Sequence, residues 1–410
     1  TTKSGLITIL NNREITTTSS KEEKWNTVWF SQWEPAEKNT QYAHDCYVYR
    51  FGTRLDNNGE DTTNHNIEDV DKTTLPDFNL LVGGFPCQDY SVASSLATSK
   101  GLEGKKGILW WSIRETLEAK KPPFVLLENV DRLLKSPAKQ RGRDFGVILA
   151  CFRDEGYTDT LEEEHKKECM ENAVLKEGFF AETFPVNKAE SAKMKIKELP
   201  VEVGEVSDTF QCAFENSGIM KGGIIYTMKT VPNYYGKQIT LGDVMETGQV
   251  EEQYFIPEEK LYYTDPTVTH SDETEQRLPK EDRQTWQYLK GAKKLLRTSS
   301  TGHEYVFSEG AISMIDQEDK PARTMLTSEG GFSRTTHIVK DKMTGRVRLL
   351  TATEAERIQG FPTDHTKYCL VKGETVEMPL RKRRFMMGNA LVVNLVADME
   401  KTLNQIFENE

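Results

Sequence analysis

The sequence predicts an α/β protein built on a parallel sheet, and three observations carry that reading. Two short apolar runs, Phe78-Asn79-Leu80-Leu81-Val82-Gly83-Gly84 and Phe124-Val125-Leu126-Leu127-Glu128-Asn129-Val130, have the length of buried strands and end in glycine or polar residues. Each follows a proline-marked break, at Pro76 and at Pro122-Pro123. Stretches of helical length follow both: 107–121 carries Ile108, Trp111, Ile113 and Leu117, and 138–155 carries Phe145, Ile148, Leu149 and Phe152. Strand, helix, strand, helix implies a parallel sheet with helices on its faces. Ligands of such sheets sit beyond the carboxyl ends of the strands, here Pro86-Cys87-Gln88 and Glu128-Asn129-Val130. Two strand ends thus aim at one crevice.

The remainder of the 410 residues fits a smaller second domain. The chain is charged and helical in character over 162–195, then irregular over 199–339, with short β-like runs such as Gly223-Ile224-Ile225-Tyr226-Thr227. Helical patterning returns at 353–359 and at 388–407, the latter with Leu391, Leu395, Met399, Leu403 and Ile406. The expected division is 1–198 for the first part of the large domain, 199–339 for the second domain, and 340–410 for a part that packs back on the sheet. A composition of 37% hydrophobic and 29% charged residues is that of a soluble globular protein. No apolar run approaches the roughly 20 residues of a membrane span, and Leu6 to Leu10 is too short for a signal peptide. The expectation is a cytosolic monomer without membrane contact. Six cysteines without CxxC pairs argue against a disulfide framework and a structural metal. A net charge of −11 argues against nonspecific wrapping of nucleic acid, yet binding depends on a local positive face rather than on the sum.

Chemistry concentrates at the two strand ends. In Gly83-Gly84-Phe85-Pro86-Cys87-Gln88-Asp89-Tyr90-Ser91 a glycine pair permits an unusual backbone and a proline fixes the residue before a cysteine. A cysteine is most often a small buried hydrophobe, but one held on a constrained turn beyond a strand reads as a thiolate nucleophile. Glu128 follows four apolar residues, so desolvation at the rim of a buried strand should raise its pKa and make it a proton donor. The other reading of a strand-end acid is a cap on a neighbouring helix.

These residues carry a resemblance to the DNA cytosine-5 methyltransferases of bacterial restriction-modification systems. Phe85-Pro86-Cys87-Gln88 resembles the family's Pro-Cys-Gln motif and Glu128-Asn129-Val130 its Glu-Asn-Val motif. Arg348-Leu349-Leu350-Thr351 through Glu356-Arg357-Ile358-Gln359-Gly360-Phe361-Pro362 resembles its late motif, and Met387-Gly388-Asn389-Ala390-Leu391 its final Gly-Asn-Ala-Val motif. The resemblance implies a Rossmann-like class I S-adenosylmethionine-dependent methyltransferase sheet with a smaller, irregular β-rich target-recognition domain. It implies Cys87 as the nucleophile and Glu128 as the group that supports protonation at N3 of a cytosine flipped out of double-stranded DNA. S-adenosyl-L-methionine is the implied methyl donor. Trp33 and Glu34 resemble the motif in which an aromatic packs near the adenine and an acid holds the ribose hydroxyls. Asp69-Val70 resembles the motif that meets the adenine amino group, and Phe85, Pro86, Leu109, Asn389 and Ala390 match further cofactor-lining positions. Ser91 and the segment around Lys105 resemble the mobile loop that closes over the base, unless that segment is an ordinary solvated turn. Residues 322–337, with Arg334, are the expected DNA-facing end of the recognition domain. The Arg381-Lys382-Arg383-Arg384 run faces phosphate or is a solvated helix entry. A nucleoid-associated enzyme with a cognate restriction endonuclease completes the expectation.

Two pieces of the family pattern are missing. Before Trp29 only Gly5 is present in place of a glycine-rich Phe-x-Gly-x-Gly turn, and after Gly156-Tyr157 no Gln-x-Arg-x-Arg motif follows. Gln140-Arg141-Gly142-Arg143 lies before the helix that should precede that motif and is not assigned its role. Three readings stay open: segments absent from this chain, a partner polypeptide that supplies them, or an impaired homologue that binds DNA without methylating it. The first is preferred because the catalytic pair is intact. A transfer RNA methyltransferase of the same family and a cysteine hydrolase built on Cys87 are further alternatives. The long 199–339 segment suits a sequence-reading DNA enzyme better than the former, and no histidine sits in a partner motif for the latter.

Overall fold

The computed structural model describes residues 5–11, 25–34, 40–55, 58–85, 109–158, 166–265, 267, 278–299 and 302–409, with only the backbone described for 5–11. The chain divides into two compact units, residues 1–235 with 398–410, and residues 236–397.

The first unit is built on a four-stranded sheet of β1 (Gly5–Asn11), β2 (Asn26–Trp33), β3 (Leu80–Gly84) and β4 (Phe124–Glu128), in the order β2, β1, β3, β4. Strands β3 and β4 are parallel as the pattern predicts, with Leu80 opposite Phe124 and Gly84 opposite Glu128. Strand β1 is antiparallel to both of its neighbours, so the sheet is mixed rather than wholly parallel. A parallel neighbour needs a crossover of about a dozen residues or more, and the connection from Asn11 to Asn26 is close to that minimum. Because β1 alone is reversed, β2, β3 and β4 all point the same way.

Helices α1 (Tyr42–Phe51), α2 (Leu109–Lys120) and α3 (Arg143–Asp154) accompany the sheet. The apolar stripe of α2 buries Trp110, Ile113 and Leu117, and that of α3 buries Val147, Ile148 and Cys151, in one core with Leu81 and Phe85. Burial of each large side chain contributes about 1.5–3 kcal/mol. Helix α3 starts later than its periodicity suggests. Gly142 before it is left-handed, at φ 83°, and the Cys212 carbonyl oxygen lies 2.2 Å from where a Cβ would stand. The Gln140-Arg141-Gly142-Arg143 string is therefore a docking turn: Gln140 Nε2 donates to the carbonyls of Ser207 (3.0 Å) and Phe210 (3.1 Å), and the Cys212 N–H donates to the Arg141 carbonyl (2.9 Å). These contacts tie part of 199–235 to the first unit. There β5 (Lys195–Glu198), α4 (Val203–Thr209), β6 (Ser217–Lys221) and β7 (Ile224–Met228) fold, with β7 central in an antiparallel sheet.

The second unit contains an antiparallel ribbon of β8 (Lys293–Thr298) and β9 (Glu304–Glu309) and a short pair, β10 (Ile338–Lys340) and β11 (Val347–Leu349). Helices α5 (Ala352–Ile358) and α6 (Leu380–Asn389) share a core of Leu241, Met325, Val339, Leu350, Ala355 and Met387. The helix expected over 388–407 is two helices, α6 ending at Asn389 and α7 spanning Val393–Asn409. Between them the Val393 N–H donates to the Gln359 carbonyl at 2.8 Å. From Asp398 onward α7 belongs to the first unit, where Leu403 and Phe407 pack with Trp25 and Phe124 and Asn404 accepts from Trp25 Nε1 at 2.7 Å.

Candidate active site

Three strand ends meet at one end of the first unit's sheet. Since β2, β3 and β4 share a direction, Trp33-Glu34, Gly84-Phe85 and Glu128-Asn129 all lie there, with Leu6 of β1 between Gln32 and Gly84 in register. At about 4.8 Å per strand, β2 and β4 stand about 14 Å apart. Pro86, Cys87, Ser91 and Lys105 lie outside the described residues.

Glu128 ends β4 opposite Gly84, and its Oε2 lies 3.3 Å from where a Cβ on Gly84 would stand. Glycine at 84 leaves room for the carboxyl beside the end of β3. Together with Phe85, Leu127, Asn129, Phe145 and Leu149, Glu128 lines a cavity of about 600 Å³. The side chain retains access to solvent, but desolvation against these apolar walls raises its pKa above the ordinary carboxylate value. Asn129 joins the two strand ends: its Nδ2 donates to the Phe85 carbonyl at 2.7 Å, and its Oδ1 accepts from the Val130 N–H at 2.9 Å. Asn129 is not among the expected site residues, although its place in Glu-Asn-Val after a strand was the available signal. The Phe85 ring is buried, 5.7 Å from that of Trp110.

At the β2 end, Glu34 is buried and its carboxylate accepts from the Ala43 N–H in the first turn of α1, at 3.2 Å. Gln41 clasps its backbone, accepting from the Glu34 N–H at 2.6 Å and donating to its carbonyl at 3.0 Å. Trp33 is half-buried. Asp69 is exposed on the turn Ile67–Asp69, with Asn66 Nδ2 donating to its carboxylate at 3.0 Å, and Val70 packs against the core. Buried Lys72 holds this turn by donating to the Ile67 and Val70 carbonyls, both at 2.7 Å. Nothing in the local pattern marks Lys72, because its partners are two backbone carbonyls and the Glu115 carboxylate of α2, 3.3 Å away and distant in sequence. Leu109, the first residue of α2, is half-buried against the core.

Among the described cysteines, Cys46, Cys151, Cys212 and Cys369 are buried and Cys169 is exposed. Burial pushes the Cys151 thiol up to about 11 and raises that of Cys212, so neither forms a ready thiolate. Among the described residues no group of three or more His, Cys, Asp or Glu side chains could hold a metal ion. No helix among them is long and apolar enough to cross a membrane.

In the second unit the late motif forms a scaffold. Arg348 is fully buried between Asp341 (3.2 Å) and Glu354 (2.8 Å), and Glu354 completes a capping box with Thr351 at the start of α5. Buried Glu356 accepts from the Thr366 N–H (2.9 Å) and pairs with Arg383 (2.8 Å), while Gln359 Nε2 donates to the Met387 carbonyl at 2.6 Å. Asn389 is exposed and Ala390 half-buried just beyond that anchor. The 381–384 run is neither a solvated entry nor a phosphate surface throughout. Arg383 and Arg384 are buried with Met387 on the inward stripe of α6, and Arg384 lies over the Tyr254 ring at 5.0 Å. Arg334, expected at DNA, donates to the Gly291 carbonyl at 3.2 Å and to that of Gly310, and pairs with Glu309 at 3.0 Å. A Cβ on Gly388 would lie 2.3 Å from the Leu326 carbonyl carbon and 2.4 Å from the Thr327 nitrogen. Gly388→Ala is therefore expected to destabilise the protein by about 1–3 kcal/mol, measured as a lowered denaturant midpoint. An unchanged midpoint would show that the two segments part freely.

A family profile described as C-5 cytosine-specific DNA methylase matches residues 15–162 and 209–405. Type II methyltransferase M.Sau3AI of Staphylococcus aureus is 36% identical over 417 residues, 95% of this chain and 92% of that protein. Type II methyltransferase M.NgoBI of Neisseria gonorrhoeae is 33% identical over 131 residues, 32% of this chain and 35% of its own. A crystal structure of S. pombe Dnmt2 methyltransferase aligns with 90% of this chain and 89% of its own, at TM-score 0.40 and 11% identity. The family match and the M.Sau3AI alignment extend over most of the chain, and the matched residues include the three strand ends and Gly388-Asn389. The chain belongs to the C-5 cytosine-specific DNA methylases, enzymes of methyl transfer to cytosine in DNA.

Proposed function

We propose that Cys87 is the nucleophile and Glu128 the proton donor of cytosine C5 methylation at a specific sequence in double-stranded DNA. Cytosine C5 is a weak nucleophile. Attack of the Cys87 thiolate on C6, with Glu128 giving its proton toward N3, turns the ring into an enamine whose C5 accepts a methyl group. Loss of the C5 proton then restores the ring and releases the cysteine. The target base is unreachable in the stack, so it is flipped out of the duplex.

The observation that carries this reading is the position of Glu128 beside the end of β3, three residues before Cys87, with its pKa raised by desolvation. Chain connectivity keeps the Cα atoms of Gly84 and Cys87 within about 11 Å of each other. A carboxyl that keeps its proton to higher pH is suited to donate it.

S-adenosyl-L-methionine, when bound, supplies an electrophilic methyl group. The residues at the strand ends suit it in chemistry: a buried acid, Glu34, for ribose hydroxyls, with Trp33 as the neighbouring aromatic, and Asp69-Val70 for the adenine amino group. Phe85, Pro86 and Leu109 would supply the apolar wall. Ser91 and Lys105 are assigned to the segment that closes over the base. Relatives named type II methyltransferases support a restriction-modification role, to which the proposal adds a cognate endonuclease and a monomeric enzyme acting on the nucleoid in the bacterial cytoplasm.

Incubating the full chain with duplex DNA and methyl-labelled S-adenosylmethionine tests the proposal. The label is expected in 5-methylcytosine, and premethylated DNA is expected to take up none. A chain that labels no cytosine would overturn it.

A further inference from the structure

The ribbon of β8 and β9 in the second unit is long, exposed and firmly held at its base. Its strands are six residues each and pair Lys293 with Glu309 through Thr298 with Glu304. Successive strand residues point to opposite faces, so Lys293, Leu295, Arg297, Tyr305, Phe307 and Glu309 share one face. Lys294, Leu296, Thr298, Glu304, Val306 and Ser308 share the other. The first face holds the buried or half-buried members, with Arg297 lying over the Phe307 ring at 3.8 Å. Every residue of the second face is exposed, including Leu296 at 68% and Val306 at 55%.

A lone two-stranded hairpin is marginally stable in water, and this one is clamped. Arg334 donates to the carbonyls of Gly291, just before β8, and Gly310, just after β9, and pairs with Glu309 at 3.0 Å. Lys293 pairs with Glu309 at 3.1 Å and donates to the Leu289 carbonyl at 3.0 Å. Fully buried Lys290 donates to the Thr336 carbonyl at 2.7 Å. The fixed base and the solvent-facing side suit a reading element.

We propose that the outward face of this ribbon reads base edges in the major groove of the duplex, and that Arg334 is the positioning residue that aims it. The major groove, about 12 Å wide, admits a two-stranded β-ribbon, and six residues extend about 20 Å along it. The face has the chemistry of base readout rather than of phosphate tracking. Its central pair, Leu296 opposite Val306, is apolar and suits pyrimidine C5 edges. Around that pair Lys294, Thr298, Glu304 and Ser308 offer donors and acceptors of both signs. Lys to guanine and Glu to the cytosine amino group are established pairings of this kind. The assignment deepens the DNA-methylating reading above and rests on it.

The test uses the full chain, S-adenosylmethionine and a duplex library randomised around a central cytosine, with methylated sequences read after bisulfite conversion. The double variant Leu296→Thr with Val306→Thr keeps β-forming side chains, and Glu304→Gln is a second, isosteric probe. Each is expected to raise KM for the preferred duplex by about tenfold or more and to spread methylation over additional sequences, while binding of S-adenosylmethionine is retained. Arg334→Ala is expected to relax the preference and speed amide exchange in 293–298, and Arg334→Lys to restore part of both. Unchanged preference and KM in both ribbon variants would overturn the inference, whether or not they alter self-association. If the unaltered chain methylates no cytosine, the parent reading fails first and takes this one with it.

Discussion

Cys87→Ser is expected to lower methyl transfer by about 10⁴-fold or more, with S-adenosylmethionine and DNA still bound. A serine hydroxyl at the same position is far less ionised than a thiol and cannot form the bond to C6, so C5 is never activated. None of the other cysteines follows one of these strand ends: Cys46, Cys151, Cys212 and Cys369 are buried, with raised thiol pKa values at Cys151 and Cys212, and Cys169 is exposed on the helix Lys166–Asn172. Single-turnover rates with labelled cofactor measure the loss. A variant that retains a tenth of the parent rate would exclude Cys87 as the nucleophile.

Glu128→Gln is expected to lower kcat by about 10²–10⁴-fold. The amide keeps the shape of the carboxylic acid but has no proton to transfer toward N3. The parent enzyme should also lose rate as pH rises through the raised pKa of Glu128, whereas the glutamine variant should lack that limb. Stability gives an independent check. The folded-state pKa lies above the unfolded one, so the folded chain holds the extra proton. The stabilisation is complete below the ordinary carboxylate pKa and is lost as pH rises through the raised value. At pH 8 the glutamine variant should therefore melt no lower than the parent, and any advantage should vanish in acid. A variant that melts lower at pH 8 would mean that the ionised carboxylate is held by favourable contacts.

Strand-length apolar runs and helical periodicity made β3, β4, α2 and much of α3 legible, because each is specified by its own residues and buries the face they define. The Glu128 environment was legible for the same reason, since an acid after four apolar strand residues is desolvated wherever that strand goes. What escaped depends on distant partners. The reversal of β1 is a matter of which strands neighbour it. The late start of α3 follows from Gly142 meeting the Cys212 carbonyl, and the burial of Arg383 from Glu356 and Asp364 arriving beside it. Arg334 looks like a DNA contact in sequence because its acceptors are main-chain carbonyls on either side of a ribbon. The missing glycine turn and arginine motif left open a binder without catalysis. The match to M.Sau3AI over 95% of the chain and 92% of that relative supports the enzyme, and nothing found favours the binder.

The central claim is that Cys87 bonds covalently to the target cytosine, and trapping tests it most directly. Replacing the target with 5-fluorocytosine leaves no C5 proton to lose, so the enzyme cannot be released after methyl transfer. With S-adenosylmethionine present, the unaltered chain should form a denaturant-resistant one-to-one adduct with the duplex. Peptide mapping should place the DNA on Cys87, and Cys87→Ser should form no adduct. An adduct at another residue, or none under conditions where ordinary cytosine is methylated, would contradict the account.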